Sequence, residues 1–559
     1  MAMLRRTPGE LANRLPGNLG DAPLVMWILQ WGGHGLRHNP IHVFNGNIFW
    51  PYPHTLAYAD SMLSVAPAYG LLYGITGKWA LAWNLLWIGL IGLNLGATYC
   101  LTRWLTGRTD VAIFAGLAVG FSAYVFNNAG HPQLEVIGLV PLGFLLLFKL
   151  FDRPRMTTAV LLGVVNVAIA LGALYVATGY AIAVVVILVG FAVSVRARPP
   201  RALLACLAVA GLITMIAAPS VIPYRDVEKT FGRRPLSPEW GLRPRDIVRP
   251  AVGSYLYKTL SHDTDQGSGE RHLFPGFLTL GLAAVGAVAL VVDRRRRPRG
   301  RHRAGGGEGD VVRGVPPDRR RYVVLLVVAG AVIGVLAVGA IGTSFPTPWR
   351  VVYDHVEPLS GVRVPARLAL FSILAGAVLA AVGLMAIMQR ISRPAVRVAI
   401  AAIASVLLLV ELAAPVPYTH IPDDPATLSV YHAMSHRPTG AVAELPIFNP
   451  GQSVNDWAYG EPARMVWATI DYHPRVNGYS GYVSPTYDSD AAVIRTIPAP
   501  AAFAKLRSMD VRYLILHVGV QTDIMMYTED QARSIIAALP AGATVDRYDA
   551  NYLVDLGKP

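Results

Sequence analysis

A succession of apolar stretches, each close to the roughly 20 residues needed to cross a bilayer, governs what this 559-residue chain can fold into. They run over 79–102, 110–126, 134–151, 156–174, 177–195, 202–222, 273–292, 322–342, 367–388 and 396–414. The three that begin near 110, 134 and 156 are short for a span, but polar breaks separate them cleanly. Charged residues make up only 15% of the chain, against about 25% in an ordinary soluble domain. The pattern predicts a mainly α, polytopic transmembrane helical bundle of about ten spans.

The loops orient the bundle. Arg103 and Arg108 follow the first stretch; Lys149, Arg153 and Arg155 follow the third; Arg196, Arg198 and Arg201 follow the fifth. The loop 293–321 holds the run RRRRPRGRHR, and Arg390, Arg393 and Arg397 precede the last stretch. Every second loop is basic, which marks those loops as cytoplasmic. Segments 1–78, 127–133, 223–272, 343–366 and 415–559 then face outward. The net charge of +14 is dispersed over these loops rather than gathered on one soluble face, so the lipid bilayer is a partner and nucleic acid is not. Three regions follow: a first extracytoplasmic loop region at 1–78, a transmembrane domain at 79–414 with its basic cytoplasmic loop at 293–321, and an extracytoplasmic domain at 415–559. An outward first loop needs a preceding span, and MAMLRRTPGE has no apolar core. The expectation is that a first span is missing from this sequence, or that 24–36 is re-entrant or interfacial.

The tail reads as a small α/β domain. AVAELPIF (441–448) and VRYLILHVG (511–519) are strand-like, DQARSIIAAL (530–539) is a short amphipathic helix, and 544–556 reads as a closing hairpin. Cys100 and Cys206 both sit in apolar stretches and imply no disulfide framework. The glycine run AGGGEGD (304–310) lacks the GK[ST] of a phosphate loop and reads as a flexible linker. Asp488-Ser489-Asp490 spells a DxD, but outside the membrane, where nucleotide sugars are absent. GYSG (478–481) falls one residue short of a nucleophile elbow. No HExxH zinc signature occurs.

Chemistry is expected among the outward polar residues. Asp21 opens an amphipathic stretch; it reads either as a helix cap or as a general base at the membrane surface. Trp50, Tyr52, His54, Tyr58 and Asp60 crowd one loop. They form either an interfacial aromatic belt or a sugar site, with rings stacking on apolar sugar faces and the carboxylate binding hydroxyls. His131, Gln133 and Glu135 alternate at an outer mouth, and an ionisable group at the start of a span is a functional candidate. Arg363 and Arg367 are four apart at the outer start of a span, a spacing that puts both on one face of an α-helix. Outer arginines run against the positive-inside bias; phosphate ligation is one reason for them, snorkelling another. Tyr479, Ser480 and Tyr482 lie in a glycine-punctuated segment, RVNGYSGYVSP, expected on the membrane-facing side of the tail domain.

LGDAPLVMWILQW, NIFWPYPHTLAYADSML, GHPQL, SGVRVPARLALF, PRVNGYSGYVSP and VRYLILH occur in this order. Together they resemble a family of bacterial membrane proteins assigned to the C-type (GT-C) glycosyltransferases. The resemblance covers nearly the whole chain. It implies a multi-pass protein of the bacterial inner membrane with an outer C-terminal domain. It also implies a catalytic carboxylate early in the first outer loop, which maps onto Asp21, and a sugar donor carried on polyprenyl phosphate. The acceptor would be a glycan, lipid or protein. A lipid phosphate leaves readily, so one base for the acceptor hydroxyl suffices and transfer inverts. His54, Asp60, His131, Gln133, Glu135, Arg363, Arg367, Tyr479 and Tyr482 would then bind substrate, and Asp60 or Glu135 would hold sugar hydroxyls or a divalent cation. Asp21 is expected to share a cavity with His54, Asp60, Glu135 and Arg363 or Arg367. The competing classes are a transporter or lipid flippase, which would show paired half-repeats with broken helices, and a scaffold of envelope assembly. No half-repeat is visible.

The charge alternation makes a topological prediction. A membrane-impermeant thiol reagent applied from outside will label a cysteine introduced near Asp424 and will not label one near Gly306. The reverse pattern would contradict the topology.

Overall fold

The computed structural model describes residues 8–195, 199–234, 236, 240–260, 268–295, 315–338, 347–356, 361–521 and 524–557. Most of the basic loop, the glycine run at 304–310, Arg196 and Arg198 fall outside these. The chain divides into two compact units. One draws on Trp87–Pro219 and Arg233–Val416; the other draws on Thr7–Leu86, Ser220–Gly232 and Pro417–Pro559. The second unit thus combines the first loop and the tail, which lie far apart in sequence.

Among the described residues, eight helical segments are long and apolar enough to cross a membrane: Trp79–Thr106, Thr109–Asn127, Pro132–Asp152, Leu174–Ser194, Arg201–Phe231, Arg320–Ala337, Pro365–Met388 and Pro394–Glu411. The two other expected spans are also helical, but their apolar parts, Met156–Gly172 and Phe277–Val292, are shorter. The second of these is nonetheless tightly held. A Cβ added at Gly286 would lie 2.1 Å from the Leu379 carbonyl oxygen, and one at Gly383 would lie 1.9 Å from that of Leu282. The two backbones therefore touch where each helix has a glycine, the close approach by which small residues let helices pack in lipid. Larger side chains keep to the periphery. Val185, Val189 and Val193 on one helix, and Val324, Val328 and Val332 on another, are exposed at four-residue spacing. A soluble protein would cover such stripes; here they suit acyl chains.

In the second unit the tail forms a four-stranded sheet in the order Ala441–Leu445, Val511–His517, Asn551–Asp555, Thr544–Tyr548. The first pair is parallel and the others are antiparallel. The strand-like runs, the helix Glu529–Ala537 and the hairpin thus appear where apolar alternation and turn residues put them. The centre of the sheet is charged. Arg475 donates to Glu444 at 2.7 Å and to Asp471 at 2.6 Å, and all three side chains are buried. His517 Nε2 lies 3.0 Å from the second Glu444 oxygen, which also accepts from Tyr431 at 2.7 Å. Burial pushes the Glu444 carboxyl up, but the His517 hydrogen bond and the Arg475 charge more than reverse this and hold it at about 2.

The first loop is stitched onto this domain through its backbone. Trp50 N–H donates to the Arg475 carbonyl (2.8 Å), Arg475 N–H to that of Asn47 (2.9 Å), and Phe49 N–H to that of Asn477 (3.0 Å). Leu15–Pro16 pairs antiparallel with Tyr418–Thr419. The stretch 24–36 lies within the helix Asp21–His38, which packs against the helices Ala66–Thr76 and Val454–Trp467.

Candidate functional site

In the loop-and-tail unit, Asp21 is the first residue of Asp21–His38. The helix terminus is capped by another residue: Asn18 Oδ1 accepts from Gly20 N–H (3.0 Å) and Asp21 N–H (2.8 Å). Asn18 Nδ2 lies 3.4 Å from the Asp21 carboxylate. The cap reading of Asp21 therefore gives way to a half-buried carboxylate at the start of a helix. A Cβ added at Gly20 would lie 3.6 Å from the Tyr479 hydroxyl, so Tyr479 sits beside the residue preceding Asp21. Its ring packs on Trp457, with centroids 4.6 Å apart.

The aromatic loop and the RVNGYSGYVSP segment meet in the same unit. A Cβ at Gly478 would fall 2.9 Å from the Phe49 ring, which explains a glycine there. Tyr482 joins Tyr58 and Phe231 in a cluster with centroids 5.1 to 6.4 Å apart. His54 Nδ1 lies 3.9 Å from Asp226 Oδ2. Ser61 N–H donates to the Tyr224 hydroxyl at 2.9 Å, on which the neighbouring Asp60 carboxylate acts electrostatically. Phe49, His54 and Met62 all have positive φ. This conformation is uncommon outside glycine, and such strain clusters at functional sites. Asn45 helps hold it by accepting the His54 N–H at 3.0 Å.

The helical unit contains the other candidates. His131 precedes the short helix Pro132–Glu135, in which Gln133 and Glu135 are buried. Glu135 accepts from Asn94 Nδ2 at 2.5 Å. Arg363 and Arg367 do not share an α-helical face, which corrects the expectation from their spacing. Pro365 keeps Val364 out of the α region (φ −112°, ψ 78°), so helix begins only after Arg363, as the 3-10 turn Pro365–Ala369. The two guanidinium groups then have different settings. Arg363 lies over the Trp240 ring, 4.6 Å from its centroid. Arg367 lies over Tyr175 at 4.8 Å and makes a two-pronged ion pair with Glu270. Glu270 also accepts from the Tyr124 hydroxyl at 3.2 Å and feels the charge of His131.

Glu270 thus gathers two predicted residues, His131 and Arg367. Sequence reasoning passed over it because it lies in a polar loop, HDTDQGSGERH, without a motif. Burial pushes its carboxyl up, but the charge and hydrogen bonds of Arg367, the His131 charge and the Tyr124 hydroxyl together hold it at about 2. Asn94, Asp226 and Trp240 were missed for the same reason: nothing local marks them as partners. The DxD does not form a metal site. Asp488 accepts from Asn449 and from Gly451 N–H, while Asp490 pairs with Lys505 at 2.5 Å. Among the described residues, no group of three His, Cys, Asp or Glu side chains could hold a metal ion.

The fold has counterparts among solved structures. The chain is similar to the mycobacterial arabinofuranosyltransferase AftD, with a TM-score of 0.54 and 14% identity over 98% of this chain and 41% of that one. A mutant of AftD matches at 0.52, with 16% identity over 96% of this chain and 41% of the other. The Archaeoglobus fulgidus oligosaccharyltransferase matches at 0.46, with 12% identity over 90% of this chain and 65% of the other. The chain therefore spans well under half of AftD. No protein-family model and no curated protein sequence matches it.

The Glu270 pair makes a prediction. A carboxyl held at about 2 in the folded protein, against 4.5 ordinarily, adds stability that is fully present above about pH 4.5 and lost as pH falls through 2. Glu270→Gln will lower the thermal unfolding temperature in detergent at pH 7, with a cost of up to about 3–5 kcal/mol for a broken buried pair. An unchanged unfolding temperature would show that Arg367 is held by other groups.

Proposed function

We propose that this protein is a membrane glycosyltransferase that moves a sugar from a polyprenyl-phosphate donor to an extracytoplasmic acceptor, with Asp21 as general base. The observation that carries this reading is the setting of Asp21: a carboxylate at a helix start whose capping is done by Asn18, beside Tyr479 and in the same unit as the strained aromatic loop. The likeness to AftD supports the class. Lipid-linked sugar suits an outward site because nucleotide sugars are absent there.

The chemistry follows from the residue types. An Asp21 oxygen takes the proton of the acceptor hydroxyl as the hydroxyl oxygen attacks the anomeric carbon. The bond from that carbon to the phosphate oxygen breaks, and its electron pair leaves with the polyprenyl phosphate. Attack opposite the leaving group inverts the centre. Arg363 is assigned the phosphate, because its guanidinium rests on Trp240 and pairs with no carboxylate among the described residues. Arg367 is already paired with Glu270, which leaves Arg363 the better of the two for phosphate. Tyr479 and Tyr482 are assigned to sugar, His54, His131 and Gln133 to hydrogen bonds with its hydroxyls, and Asp60 or Glu135 to sugar hydroxyls or a divalent cation.

Asp21→Asn keeps size and hydrogen bonding and removes the base. Transfer from a radiolabelled polyprenyl-phosphate sugar by the purified protein in nanodiscs will fall about 100- to 10,000-fold, with the unfolding temperature unchanged. Undiminished transfer would remove Asp21 from the mechanism.

A further inference from the structure

The helix that begins at Asp21 carries a second feature at its far end. Trp31, His34 and His38 recur at three- and four-residue spacing and so share one face of Asp21–His38. With Asn39, His42 and Asn45 they line an open cleft of about 390 Å³, within the range of about 300–1,000 Å³ usual for small-molecule sites. The cleft lies roughly 15–25 Å from Asp21 along the helix, at 1.5 Å per residue.

Its wall is a pile of flat rings. His34 stacks on Tyr472 at 3.7 Å and 17°, and on His38 at 4.3 Å and 25°. Trp31 adjoins His34 at 5.8 Å and Tyr472 at 6.1 Å. The Trp31 indole N–H is committed to the Val43 carbonyl at 2.7 Å, so the ring rather than its polar edge is left for a ligand. The rim is amide and imidazole. His38 and His42 each use Nδ1 locally, on the His34 carbonyl and on Asn39 Oδ1, both at 3.0 Å. The second nitrogen of each takes no hydrogen bond among the described residues. No carboxylate, lysine or arginine lines the cleft. Three histidines line it, yet among the described residues no group of three could hold a metal ion.

This combination selects a neutral molecule with flat apolar faces and many hydroxyls at its edge. Sugar C–H bonds carry partial positive charge and suit the negative face of an aromatic ring. Asn and neutral His each offer a donor and an acceptor to hydroxyls. We infer that the cleft is a carbohydrate-binding subsite for a neutral oligosaccharide. Its use as an acceptor subsite, holding a glycan chain at a distance from the reacting end, rests on the transferase reading above; its ability to bind sugar does not.

The test is saturation-transfer NMR on the full chain in nanodiscs. The ligands are soluble hexasaccharides of arabinofuranose, mannopyranose or galactopyranose, with glycerol phosphate as a lipid-headgroup control. At least one hexasaccharide will bind, glycerol phosphate will not displace it, and His34→Ala and His38→Ala will each weaken binding at least tenfold. His38 is exposed, so its replacement does not threaten folding. Asp21→Asn will leave binding at the cleft intact, and a lack of sugar transfer by the unaltered protein would sink the transferase reading and leave the cleft standing. Absence of hexasaccharide binding, binding by both histidine variants as tight as by the unaltered protein, or displacement by glycerol phosphate would overturn the inference.

Discussion

A bilayer offers no water to an unpaired peptide group, so a chain that crosses it repeatedly must do so as helices or as a closed barrel, and the apolar segments described here are helices. Irregular backbone is confined to the ends and to places buried in protein. That constraint organises this molecule. Its spans are nearly featureless, with valine stripes outside and glycine contacts such as Gly286 against Gly383 within. Side chains able to do chemistry are pushed into the breaks. Arg363 stands just ahead of a proline-delayed helix start, His131 before a four-residue helix, and Glu270 in a loop that supplies the countercharge to Arg367.

The loop-and-tail unit solves a different problem. A loop rich in aromatic residues, with three non-glycine residues at positive φ, would not hold its shape alone. It is fixed by backbone hydrogen bonds from Asn47, Phe49 and Trp50 to Arg475 and Asn477, next to the buried Arg475–Glu444–Asp471 network. Removing one partner from such a network costs far more than its net contribution to stability. The tail domain therefore serves as the mould for the first loop, and Tyr479 comes beside Gly20, the residue before Asp21, within that mould.

Periodicity and turn chemistry made much of this legible beforehand. The apolar stretches, the strands at 441 and 511 and the closing hairpin are local signals, and local physics decides them. Partners are another matter. Glu270, Asn94, Asp226 and Trp240 gain meaning only from residues 41 or more positions away. Arg363 and Arg367 illustrate the limit: their spacing suggested one helical face, and the intervening Pro365 prevents it. Asp21 shows the reverse case. The local reading as a cap was reasonable, and Asn18, three residues earlier, had already taken that role.

The account turns on a lipid phosphate being held by Arg363 of the helical unit. A cryo-EM structure of the protein in nanodiscs with saturating polyprenyl phosphate tests this directly. The account predicts phosphate density within hydrogen-bond distance of the Arg363 guanidinium, with Arg367 still paired to Glu270. Phosphate bound elsewhere on the bundle, or an Arg363 that does not contact it at saturation, would contradict the account.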